Sequence, residues 1–150
     1  MNIETAVTED ALIAGLTNRG LHFLVGGAEA APADALATDA LIAGLADAEA
    51  ARLHMALIAL FLYQPEIAAA VPAALARLSP GAQLRLKLFY TAAVLLHRIH
   101  QDRLRRYLPQ SRPLPDRFAG DLQVDTAAAP QAQLRQLAQR HRELSGVMAN

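Results

Sequence analysis

The chain has 150 residues, just over half of them apolar; this is the size of one domain able to bury a core, and it excludes a disordered chain. Cysteine is absent, which excludes disulfides, thiolate zinc sites and thiol chemistry. Net charge is zero, yet residues 1–66 hold nine acidic groups against Arg19 and Arg52, and residues 77–117 hold nine basic groups against Asp102 and Asp116.

Alanine occurs 33 times, and Leu, Arg and Gln supply much of the rest, so an all-α fold is the expectation. The acidic start MNIETAVTED lacks the basic-then-apolar pattern of a signal peptide. The longest unbroken apolar run, Met55–Tyr63, is half of what a bilayer-spanning helix needs. A soluble bacterial protein is expected, with the cytoplasm as its default compartment.

The heptamer DALIAGL occurs at Asp10–Leu16 and again at Asp39–Leu45. Thr8 suits the N-cap of the first copy, with Val7 and Leu12 at staple spacing, and Leu12, Ile13 and Leu16 form its apolar stripe. Gly20 ends that helix, and LHFLV at Leu21–Val25 reads as a short strand whose one available partner is Leu122–Val124. Residues 28–37 form an Ala/Pro connector. Thr38 or Asp39 caps the second copy, and Asp47 caps a further helix running to Tyr63, apolar nearly all round from Met55 onward. The surroundings of the two copies diverge, so the heptamer reads as a helix recipe used twice.

Pro65 starts another helix that Pro72 kinks or restarts. Ser79-Pro80 is a strong start signal for a long helix predicted to reach Leu108. From Pro109 to Pro130 the periodicity disappears, and four prolines with Gly120 punctuate an extended connector. A terminal helix then carries Leu134, Leu137, His141, Leu144 and Met148 at alternating three- and four-residue steps, a seam suited to packing on another helix. The predicted architecture is a compact helical bundle or short HEAT-like stack with one long central helix and at most one minor strand pair. Its divisions are a core over 1–108, a proline-rich connector over 109–130 and an amphipathic helix over 131–148.

The stretch LIAGLADAEAARLHMALIAL, with Asp47 at the turn and Arg52 early in the next helix, resembles one HEAT-type repeat. Phe23–Gly27, FLVGG, resembles the opening strand and glycine turn of nucleotidyltransferase-type domains. That resemblance implies glycines that admit nucleotide phosphates and a carboxylate pair that holds magnesium. The serine which follows the glycines in that family is missing here. Asp47 and Glu49 have acid-x-acid spacing, but on a helix they diverge by about 200°. A degenerate relative, or the partner of such an enzyme, is what remains. Arg135 and His141 resemble the R-x(4–6)-H spacing of HEPN-type ribonucleases, although on one helix they stand roughly 120° apart.

His97 and His100 share a helical face, but no third ligand accompanies them, and no metal or cofactor is expected. Ser79, Ser111 and Ser145 sit outside any nucleophile elbow, and no P-loop or dinucleotide fingerprint is present. Arg98, Arg103, Arg105, Arg106, Arg112 and Arg117 cluster in one region suited to a phosphate or an acidic surface. The expected function is therefore a non-catalytic protein–protein interaction module or oligomer subunit, docking through the Leu134–Met148 seam with the arginines adding charge complementarity. The alternative is a nucleic-acid- or nucleotide-associated accessory factor, such as a toxin–antitoxin-like partner, using Arg98–Arg117 on phosphates. No membrane partner is expected.

Overall fold

The computed structural model describes residues 9–18 and 37–149, with side chains described for 11–16 and 37–143. Among these residues the fold is all-α: seven α-helices and one 3-10 helix packed as a bundle, with no strand.

The helices α1 (Glu9–Asn18) and α2 (Thr38–Asp47) contain the two heptamers and lie against each other. Both copies bury the same positions: Leu12 and Leu16 in the first, Leu41 and Leu45 in the second. The expected caps for α2 are corrected. Its N-cap is Ala37, without a side-chain bond, because Thr38 already has helical conformation and the Asp39 carboxylate is turned to the Arg77 guanidinium at 2.8 Å. The expected caps and strand at Thr8, Gly20 and Leu21–Val25 lie outside the described residues.

Helix α3 (Ala51–Tyr63) starts from Ala50 and has no side-chain cap; Asp47 instead closes α2. Two side chains satisfy carbonyls left open at the α2 C-terminus. Arg85 Nη1 donates to the Ala46 carbonyl at 2.7 Å, placing a cation where the helix dipole favours one, and His54 Nε2 bonds the Ala48 carbonyl. Leu53, Leu57, Leu60 and Phe61 are fully buried, so α3 is central.

A 3-10 helix (Pro65–Ala70) and the short α4 (Val71–Ala76) follow, each with a proline in its first turn. No single described helix is long and apolar enough to cross a membrane. α3 joined to residues 65–76 passes by composition alone, across a 115° bend, and its Leu57, Phe61, Val71 and Ala74 are core residues.

Helix α5 (Pro80–Ile99) begins as the sequence indicates, with Ser79 Oγ accepting from the Ala82 N–H at 3.4 Å and proline at its first turn. It ends earlier than predicted. His100 leaves helical conformation at φ −113°, ψ 22°, and the chain resumes as α6 (Gln101–Tyr107). Nothing in α6 is buried.

The proline-rich stretch after α6 carries core residues. Leu114, Phe118, Ala119, Leu122 and Val124 are buried in the same cluster as α2, α3 and α5. The expected strand at Leu122–Val124 is overturned, because these residues close a helical turn. Val124 N–H donates to the Ala119 carbonyl at 2.9 Å and Gln123 N–H to the Gly120 carbonyl at 3.1 Å, with Gln123 at φ 57°. That pairing is the Schellman arrangement, and both of its ends, Ala119 and Val124, are apolar and buried in the core cluster.

Helix α7 (Pro130–Ala149) packs chiefly on α5. Leu137 is buried and Leu134 rests on the core, while the polar side chains of Gln133, Gln136 and Arg140 reach the preceding backbone. Gln133 Nε2 donates to the Ala128 carbonyl at 2.8 Å, Gln136 Oε1 accepts from the Asp125 N–H at 2.8 Å, and Arg140 Nε donates to the Leu122 carbonyl at 3.2 Å. Steps of three and four place all three on one stripe of the helix.

Candidate functional site: the α5–α6 corner

Two adjacent residues of α5, before the corner, organise the ring contacts of the core. Tyr90 stands edge-on to Phe61 at 5.0 Å and to Phe118 at 5.5 Å, and Phe89 lies between His54 at 5.6 Å and His141 at 5.4 Å. Successive helical side chains diverge by about 100°, so one turn of α5 serves two three-ring files. Each joins α3 to a segment beyond residue 108. The Tyr90 hydroxyl donates to the Pro115 carbonyl at 2.7 Å; burial, the dominant influence, raises its pKa, partly offset by the Arg117 guanidinium beside it.

Burial likewise pushes the pKa of His54 and of His97 below the usual imidazole value. For His54 the bond to Ala48 works the other way, and the charges of Arg85 and His141 add to the lowering; for His97 it is Arg105 that adds. His97 is buried and His100 exposed, so the two histidines do not face one space. Among the described residues no three His, Cys, Asp or Glu side chains converge as a metal site would require.

The predicted seam is occupied by the chain itself as far as it is described. Leu134 and Leu137 pack on the core and His141 on Phe89, whereas the side chains of Leu144 and Met148 lie outside the described residues. Arg135 is exposed, and one uninterrupted helix carries both it and His141. The glycine turn at Phe23–Gly27 also lies outside the described residues.

The arginine cluster divides into two sets. Arg98 reaches Asp116 at 3.9 Å, Arg105 reaches Asp102 at 3.8 Å, and Arg117 sits beside Tyr90. Arg103, Arg106 and Arg112 are exposed and have no carboxylate within ion-pair distance among the described residues. Arg103 and Arg106 line an open hollow of about 680 Å³ together with Ile99, His100, Asp102 and Tyr107. Tyr107 is 71 % exposed, a large ring that the core does not use. The hollow lies where helical conformation is interrupted at His100, between α5 and α6, and its lining residues recur at helical spacing along one face. Sequence reasoning found the arginines but did not name His100 as their neighbour, and the break in helical conformation there has no proline or glycine to announce it.

Such a corner can bind anions through guanidinium forks and a flat group through the tyrosine face. The chain was compared with family models, with curated proteins and with solved structures, and nothing matches it.

Proposed function

We propose that this chain is a non-catalytic helical interaction module whose working surface is the α5–α6 corner. One observation carries the reading. α6 is the regular element, among those whose side chains are described throughout, that contributes nothing to the core, yet it presents Arg103, Arg105, Arg106 and Tyr107 to solvent. Arginine and tyrosine are two of the residue types that concentrate binding energy at protein interfaces. The zero net charge of the chain favours an acidic protein surface over a nucleic-acid backbone, which is bound through a broad basic field. A second copy, through the acid-rich residues 1–66, is one form that such a partner can take, and a cytoplasmic oligomer or complex subunit is the corresponding setting.

The test compares the full chain with an Arg103→Glu/Arg106→Glu variant by mild affinity purification, measuring the mass of the complex before and after nuclease. A discrete stoichiometric complex that survives nuclease and is lost in the variant is expected. A complex that dissolves with nuclease, or one that the variant retains undiminished, overturns the reading.

A further inference from the structure

The lining of the corner hollow is mixed in a way that an acidic protein surface alone does not require. Arg103 and Arg106 offer planar donor forks with no carboxylate within ion-pair distance among the described residues, and His100 adds a third polar group to the lining. Tyr107 and Ile99 supply an aromatic face and an aliphatic one. Asp102 adds a single acceptor, and Arg105 at 3.8 Å offsets its charge.

These are the complements of the three parts of a nucleotide. Guanidinium forks match phosphate oxygens, a carboxylate accepts from ribose hydroxyls, and an aromatic ring stacks on a base. A volume of about 680 Å³ lies within the range of small-molecule sites. We propose that the hollow formed by His100, Asp102, Arg103, Arg106 and Tyr107 is a binding site for a single nucleoside phosphate.

A mononucleotide fits better than a polymer. Arg103 and Arg106 are the two guanidinium groups that line the hollow, enough for the phosphates of one nucleotide. An inorganic anion would leave Tyr107 and Asp102 without a role. The hollow is open to solvent, so binding to the isolated chain is weak, with a dissociation constant on the order of 0.1–1 mM. Because the site lies on the surface assigned to a protein partner, nucleotide and partner compete for Arg103 and Arg106. The proposal itself needs no partner: it is measured on the purified chain, so its failure and that of the interaction reading are separable.

The experiment is a titration of the purified full chain with ADP, pyrophosphate and adenosine, followed by amide chemical shifts of residues 99–107 at about 0.1 M salt. Saturable binding of ADP is expected, tighter than pyrophosphate by roughly tenfold or more and tighter than adenosine by a similar factor. Arg103→Gln/Arg106→Gln should weaken ADP binding at least about tenfold, and Tyr107→Ala about five- to tenfold, with Tyr107→Phe close to the parent. None of these side chains is buried, so the variants keep the fold, which the unchanged spectrum of the remaining residues verifies. Pyrophosphate binding as tight as ADP together with indifference to Tyr107→Ala marks an adventitious anion only and overturns the proposal. Absence of saturable shifts with millimolar ADP overturns it as well.

Discussion

The hydroxyl of Tyr90 and the carbonyl of Pro115 are joined by a hydrogen bond of 2.7 Å, linking a fully buried side chain of α5 to a stretch of chain that has no regular structure. The phenol is held protonated by burial, so this donor persists throughout the physiological range. Tyr90→Phe removes the bond and retains both edge-on ring contacts, so it should lower the unfolding free energy by about 1 kcal/mol with an unchanged denaturant slope. Tyr90→Ala also empties the centre of the ring file and should cost about 3–5 kcal/mol. Equilibrium urea unfolding of the two variants distinguishes the bond from the ring.

Acid sensitivity should begin above the carboxylate range. His54 and His97 are lowered in the folded chain from about 6.5, so the unfolded chain binds their protons first as pH falls. Stability is full above about pH 7, declines as pH drops below about 6.5, and levels once the folded-state values are passed. Asp39, lowered by its bond to Arg77, acts in a separate window, its contribution being lost only below about pH 4. Urea midpoints measured between pH 7.5 and 5 should show the first decline, and a His54→Asn/His97→Asn variant should show a flatter profile whatever its absolute stability. An equal slope in that variant would refute the assignment.

Gln123 pays a steric penalty at φ 57° that glycine would not. Gln123→Gly should therefore stabilise the chain by about 0.5–1 kcal/mol, raising the melting temperature by roughly 2–4 °C. Gln123→Val, with a branched carbon at the same position, should destabilise it. Thermal unfolding by circular dichroism reads both.

The core extends past residue 108. Leu114, Phe118, Leu122, Val124 and Leu137 belong to the cluster built on α3 and α5, so a chain cut after Leu108 should lose cooperative unfolding and expose apolar surface to a hydrophobic dye. Within the intact chain, Leu137→Ala should cost about 2–4 kcal/mol, whereas Arg103→Gln/Arg106→Gln should change stability by no more than about 0.5 kcal/mol. This contrast separates the residues that maintain the bundle from those available for binding.

Local chemistry explains which features the sequence made legible. Ser79-Pro80, Pro65 and Pro72 mark helix starts because they act on the nearest turn, and the second heptamer buries Leu41, Ile42 and Leu45 through spacing alone. What escaped depends on distant partners. Leu122-Gln123-Val124 alternates like a strand, and a glutamine at positive φ gives no compositional sign of the turn that it closes. The aperiodic prolines after α6 conceal side chains that fill the core, since burial there follows Tyr90 and its rings and not a helical period. At the corner, six arginines were visible as a group, but tertiary pairing of Arg98 with Asp116 and of Arg117 with Tyr90, beside the local Asp102–Arg105 pair, decides which of them remain available.

Gln133, Gln136 and Arg140 hold α7 by addressing peptide groups of the segment before it: the Ala128 carbonyl, the Asp125 N–H and the Leu122 carbonyl. Peptide groups are the same whatever residue bears them. Apart from Asp121, which meets Lys87, Gln123 at its positive φ, and Asp125, which accepts from the Ala127 N–H, the solvent-facing side chains of residues 120–129 can therefore be rewritten, in nature or by design, without dismantling the joint, provided that the backbone path and the inward Leu122 and Val124 are kept. That makes the loop a graft point for a peptide tag or epitope, fixed at both ends by a helix that does not read its sequence.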